Sequence, residues 1–476
     1  MLETILIVVI GLGVFLIGLA VIWNRVAYNW LSKVCSAIVI SLPFERVPSL
    51  AVAGVNVRIS QLLVLAGLLF WIILLARRDT ELMVHKINRF SWLIPVFVIL
   101  TIPSWFVVVN PTRFISTTIA TWIAFGALFL ISNFTINIWR QLNNLIISML
   151  LAGIFAVYQF VGDMFLNLPT FLTGLREQYT KVVFGYPRIQ STALEPLYFA
   201  GMLFLPIIFC LILILNQQKL DLNTHFVWLN KKLKLFNQPW IVISFFVILF
   251  ILTISKGAWA SLIIALPVLI AINIQNFRLV FDQILNWFQS VYNRLGRVGF
   301  GFILLGTAVF SLIFGGSIIP ILAGTWNHLV ETVSGEAGTI LERQSFVSAA
   351  LATLPGNSVI GIGSGQYGVY AANLLNLGNY DGFLIVNNVY LEVWLEQGFV
   401  ALAVFGLLLI TPIWAGLTVI FDKTKVLGQK KLIILQTLTV TLVAYLIQWT
   451  TFSPIFIMPI FIILGLLSRA LEIEEL

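Results

Sequence analysis

Along most of the chain, apolar residues run unbroken for about the length that crosses a bilayer, and polar residues gather between the runs. The runs cover 4–23, 31–50, 60–76, 91–109, 114–132, 141–161, 196–215, 240–254, 258–272, 299–319, 389–410, 432–451 and 454–468. They are continuous and lack the period of two that barrel strands show, so they predict helices. The pattern therefore predicts an all-α, polytopic integral membrane protein of about twelve to thirteen transmembrane helices. Pro43, Glu45, Arg46 and Pro48 interrupt the run 31–50, which reads as a broken or re-entrant helix.

One long stretch, 320–388, departs from this pattern and divides the chain. Residues 1–319 form a membrane domain of about ten spans. Residues 320–388 form a large extracytoplasmic loop, and 389–476 hold the last three spans and a cytoplasmic C-terminus. A smaller outer segment covers 162–195. In 277–297, Phe277, Val280, Phe281, Ile284, Phe288, Val291, Tyr292 and Leu295 recur at helical spacing, which predicts a cytoplasmic helix lying in the interface.

Composition agrees with the pattern. Of the 476 residues, 60% are hydrophobic and 10% charged, against roughly 25% charged in soluble domains. The net charge of +8 would suggest nucleic acid in a soluble protein. Here the cations cluster between spans, as the positive-inside rule requires, and nucleic acid is not a partner. Arg77, Arg78, Lys86 and Arg89 form one basic cluster, and Lys219, Lys231, Lys232 and Lys234 another. Arg278, Arg294 and Arg297 form a third, and Lys423, Lys425, Lys430 and Lys431 a fourth. Alternating spans put all four on one side, with the N-terminus outside if there are about thirteen. The first run, preceded by Glu3 and followed by Arg25 and Lys33, reads as a retained span and not a signal peptide. Cys35 and Cys210 lie in apolar runs and indicate neither a disulfide framework nor a metal site.

The candidate chemistry lies in cations on the opposite, outer side: Lys256, Arg176, Lys181, Arg188 and Arg343. A charge near the apolar layer needs a partner. A lipid headgroup or a diphosphate would serve, and so would a neighbouring carboxylate, as Glu342 beside Arg343 shows. Glu195-Pro196 opens a span, where a carboxylate suits either helix capping or catalysis. Glu392 and Glu396 share a helix face, at a cavity or at the interface. Tyr367, Tyr370, Tyr380 and Tyr390 could stack on sugars or anchor at the interface. His328, the one histidine placed outside, reads as a surface residue. Gly363, Gly365 and Gly368 match a nucleotide-loop spacing without a strand–helix context, so they predict a tight turn whose amides face an anion.

Several of these segments together resemble a family. They are Pro187-Arg188-Ile189 with Leu194-Glu195-Pro196, then Thr253 to Trp259 around Ser255-Lys256-Gly257. Next come Glu342-Arg343-Gln344 with Gly361 to Gly365, and Asn387-Asn388-Val389-Tyr390-Leu391 with Glu396-Gln397-Gly398. In this order the chain resembles the bacterial O-antigen ligase and O-antigen polymerase family of membrane glycan transferases. The resemblance implies an inner-membrane, multi-pass enzyme that moves a glycan from undecaprenyl diphosphate to a hydroxyl of a glycan or lipid acceptor on the outer face. It implies inversion at the anomeric carbon, without a nucleotide, metal or other cofactor. It also implies contact with membrane lipid and with polysaccharide-assembly proteins.

The family's two phosphate-binding arginines fall at Lys256 and Arg343, and Arg188 joins them as a diphosphate ligand. Lys256 keeps the charge but loses the planar fork. The family's histidine base falls at Asn387, whose amide has no usable basicity. Three readings follow. Leaving-group stabilisation suffices with Asn387 orienting the acceptor; or Glu195 or Asp381 takes the proton; or the chain is an inactive member serving as an assembly partner. Asn388, Tyr390 and Glu396 are further candidate substrate contacts. The competing class, a transporter or lipid-linked glycan flippase, would need buried charges and repeated halves, and no repeat is evident.

Overall fold

A computed structural model describes residues 27–46, 49–52, 55–77, 87–176, 182–183, 186–220, 237–274, 276–279, 282, 289, 338–375, 384–422, 427–453 and 457–473. The expected spans 4–23 and 299–319 lie outside these residues. So do most of the expected interfacial helix 277–297, and His328, Lys181, Tyr380 and Asp381.

The described chain is helical, as a run of apolar residues in lipid must be to satisfy its backbone. Helix α1 spans Ala27–Ser41. The hairpin strands β1 (Ser49–Val52) and β2 (Val55–Arg58) follow, then α2 (Ile59–Ala76). Helix α3 (Leu93–Leu100) lies between two tight helical turns, and α4 (Pro111–Phe134) and α5 (Ile138–Met164) come next. The small strands β3 (Val182–Val183) and β4 (Tyr186–Pro187) precede α6 (Pro196–Met202) and α7 (Phe204–Leu215), which form one crossing. Helices α8 (Pro239–Leu252) and α9 (Lys256–Ile272) form a helical hairpin. The stretch 320–388 contributes α10 (Gly338–Thr353) and α11 (Tyr367–Leu374). The last elements are α12 (Val389–Gln397), α13 (Phe399–Phe421), α14 (Gln429–Gln448) and α15 (Met458–Glu472).

Among the described residues, seven helical segments are long and apolar enough to cross a membrane, and three shorter ones are apolar. The protein is a polytopic helical membrane protein. One span is broken as expected, and a second differs from expectation. The run 31–50 is broken: α1 stops at Ser41, and a tight turn over Leu42–Phe44 follows, ending at Glu45. The run 389–410 is two helices, α12 and α13, split at Gly398. Gly398 has φ +88°, and the Val359 carbonyl oxygen lies 2.0 Å from where a Cβ would stand. Only glycine fits there, and hydrophobicity alone does not register such a break.

Burial ranks the helices. In the crossing formed by α6 and α7, 89% of the apolar window is buried inside the protein, and in α14 78%, against 28% in α2. The first two are therefore central and α2 is peripheral. Helix α15 packs on α4 and α14. At Gly465 a Cβ would stand 2.9 Å from Ile131, a close approach of the kind that small residues permit between membrane helices.

Polar contacts sort into two ends, as alternating spans demand. At one end Asn88 donates to Ser468 at 3.0 Å, Arg469 to Thr135 at 2.9 Å and Asn276 to Asn216 at 3.0 Å. Arg77, Lys219, Arg278 and Lys430 lie at or near helix ends on this side. At the other end lie Arg46 with Glu195, Arg188 with Thr253, and Asn388 with Thr450.

Candidate active site

The glycine turn is built around a carboxylate. Gly361, Gly363 and Gly365 have φ of +82°, +99° and +72°. The last two amide groups that close the turn, those of Gly365 and Tyr367, donate to Glu396 at 2.7 and 3.2 Å. The anion expected before these amides is thus a side chain of the protein itself. Burial and the charge of Glu392 push the Glu396 carboxyl up from its ordinary range, while the two amides and Arg113 oppose them. Gln366 ties the turn down, accepting from the amides of Val109 and Asn110 at 3.1 and 2.7 Å and donating to the Asn110 carbonyl at 2.9 Å.

Three expected substrate contacts receive internal partners here. Glu396 is buried and holds the turn. Tyr390 donates its hydroxyl to the Leu446 carbonyl at 2.8 Å. Asn388 caps α12, its side-chain oxygen accepting from Leu391 at 3.0 Å and its amide reaching Thr450 at 3.4 Å. Tyr367 is buried as well, and its hydroxyl donates to Phe346 at 2.6 Å. Residues with extended side chains at the outer end are here bracing backbone carbonyls, which sequence spacing does not reveal.

The charged cluster forms where the chain enters α6. Glu195 stands at the helix cap with extended backbone, φ −148°, but its side chain makes no capping bond. It pairs instead with Arg46, Nη1 to Oε2 at 3.3 Å, and this decides the capping question against capping. Burial raises the Glu195 carboxyl from its ordinary range, and the positive charges of Arg46, Arg188 and Arg343 oppose that rise. Arg188 is pulled down by burial and supported by Glu195. Arg343 is exposed on α10, yet its charge acts on Glu195. Arg188 donates from Nε to the Thr253 carbonyl at 3.2 Å, and just beyond Thr253 the half-buried Lys256 begins α9. A Cβ at Gly257 would lie 2.9 Å from Thr451 Oγ1, beside the Thr450 carbonyl that Asn388 reaches. Asn387 is half-buried with φ +59°, a left-handed conformation that asparagine tolerates. Of the expected residues, the charges of Arg188 and Arg343 act on Glu195, Lys256 follows the Thr253 carbonyl that Arg188 holds, and Asn387 precedes the Asn388 that reaches Thr450.

A second network, behind Glu195, was not foreseen. Arg46 lies over the Tyr198 ring, 4.3 Å from its centroid. The Tyr198 hydroxyl donates to Glu45, and Glu45 pairs with Arg58 at 2.9 Å. The signal available in the sequence was Glu45-Arg46, an ionisable pair inside an apolar run, which calls for partners and not only for a helix break.

Fold and site together define a polytopic helical membrane protein with a cluster of cations and carboxylates at the end opposite its basic loops. A family model described as O-antigen ligase matches residues 241–406, a stretch that holds Lys256, Arg343, Asn387 and Glu396. Over this stretch the chain is similar to the O-antigen ligase family, as the resemblance of its motifs indicated. No curated protein matches the chain.

Proposed function

We propose that the protein is an outer-face glycan transferase of the inner membrane, moving an oligosaccharide or polysaccharide from undecaprenyl diphosphate to an acceptor hydroxyl, as ligase or polymerase. The reading is supported above all by the Arg46–Glu195 pair, on which the charges of Arg188 and Arg343 act, with Arg188 bonded to the turn that leads to Lys256. These side chains come from distant segments, and the cations among them suit a leaving diphosphate. As the anomeric bond breaks, negative charge grows on that diphosphate. Cations already fixed in place stabilise it without reorganisation. Arg343 and Arg188 supply planar forks for phosphate oxygens, and Lys256 supplies a point charge. Asn387, at the family's histidine position, orients the acceptor.

The test is transfer by the full chain in proteoliposomes, given a polyprenyl-diphosphate-linked glycan and a glycan or lipid acceptor. Arg343→Ala and Arg188→Ala proteins insert normally and lose about 10²–10³-fold in transfer. Normal product length and amount in both variants would remove the proposed site. Movement of the lipid-linked glycan across the vesicle without any new glycosidic bond would indicate a flippase instead.

A further inference from the structure

The segment between α1 and α2 reaches across to the mouth of α6. Arg46 is held there on two sides, by the Tyr198 ring at 4.3 Å and by the Glu195 carboxylate at 3.3 Å. Behind it, Tyr198 bonds Glu45, and Glu45 is paired with Arg58 on β2 at 2.9 Å. Two cations and two carboxylates thus form a charge-balanced chain of ion pairs, one hydrogen bond and one cation–π contact, ending at Glu195. At that end the charges of Arg188 and Arg343 act on Glu195 as well. Its side chain is 20% exposed, so it is desolvated and still reachable.

On the glycan-transfer reading, we propose that Glu195 receives the proton of the attacking acceptor hydroxyl and that Arg46 is the residue that positions it. The acceptor oxygen's electron pair forms the new bond to the anomeric carbon. Its proton passes to a Glu195 carboxylate oxygen. The bond from the anomeric carbon to the diphosphate oxygen breaks, and its electron pair leaves with the polyprenyl diphosphate. A carboxylate in this place answers the absence of a basic side chain at Asn387.

The arrangement also couples the base to the donor. Arg188 and Arg343 stabilise the Glu195 carboxylate in the unliganded protein. A diphosphate seated on the same arginines brings negative charge beside Glu195 and raises its proton affinity. Glu195 becomes the stronger base when the donor is in place. Arg46, fixed between Tyr198 and Glu195, sets the baseline from which that rise begins.

The experiment compares wild type with Glu195→Gln, Glu195→Asp, Arg46→Gln and Arg46→Lys as full-length, monodisperse proteins in proteoliposomes. It measures binding of undecaprenyl diphosphate and the pH profiles of kcat and of kcat/KM for the donor. Glu195→Gln retains binding and loses about 10²–10⁴-fold in transfer, and Glu195→Asp recovers part of it. Rate falls on the acid side as Glu195 protonates, and that limb lies at higher pH in kcat, which reports the donor-bound protein, than in kcat/KM. Arg46→Gln removes a stabilising cation, so its acid limb in kcat/KM moves to higher pH, and Arg46→Lys moves it back. A merely structural Arg46 would lower the rate equally at every pH, and that result overturns the positioning role. Full transfer by Glu195→Gln, with Arg343→Ala inactive, removes Glu195 as the base while leaving the transferase reading intact. A wild-type protein that binds the donor and forms no bond overturns both.

Discussion

Arg188 donates from Nε to the carbonyl oxygen of Thr253 at 3.2 Å, and so fastens the segment entering α6 to the turn that launches Lys256. The adjacent amide of Ile189 adds a bond to the Leu252 carbonyl at 3.3 Å. Two outer cations from distant parts of the chain are thereby held in a common frame, and a ligand that spans them meets charges already placed.

Lys256 tests the charge requirement. Lys256→Ala should lower transfer by about 10²–10³-fold, the loss typical of one removed electrostatic stabiliser. Lys256→Arg should remain active, because it keeps the charge and adds a bidentate fork. Initial rates with a lipid-linked donor decide this. An arginine variant as slow as the alanine one would show that the compact ammonium itself matters.

Asn387 separates backbone from side chain. With φ +59°, Asn387→Gly should fold at wild-type stability, whereas Asn387→Val should lose about 1–2 kcal/mol in thermal unfolding. Transfer by the glycine variant then measures what the amide contributes to orienting the acceptor. Asn387→His should transfer at about the wild-type rate if Glu195 already takes the proton. A large gain at a pH above the imidazole pKa would place the proton acceptor at this position instead.

The glycine turn and its support should fail at Gly398 and Glu396 before any cation of the site is touched. Gly398→Ala drives a Cβ onto the Val359 carbonyl and should destabilise the protein by about 3 kcal/mol. Glu396→Ala strands the buried amides of Gly365 and Tyr367, at a cost of about 1–3 kcal/mol each. Thermal unfolding in detergent reads both. Wild-type stability in Glu396→Ala would show that the turn stands without its carboxylate.

Much of this molecule was legible as a string. Continuous apolar runs gave the helical class and most span positions, because lipid leaves a backbone no other partner than itself. Charge asymmetry predicted a sidedness, since lysine and arginine resist crossing. Spacing around Lys256, Arg343 and Asn387 gave the family resemblance, which the match over residues 241–406 bears out. Glu45 and Arg46 were visible too, but only as an interruption of a helix.

What the tertiary structure alone decided is which polar side chains face each other. Glu396 carried the same letter whether it met a substrate or the amides of Gly365 and Tyr367, and only folding brought those amides within 2.7 and 3.2 Å. Glu195 likewise suited either a helix cap or catalysis until Arg46, from a segment far away in the chain, was found 3.3 Å from it. Apolar burial is set locally, residue by residue, and so it can be read from sequence. Ion pairs and hydrogen bonds are short-ranged and directional, so their partners exist only once distant segments are packed.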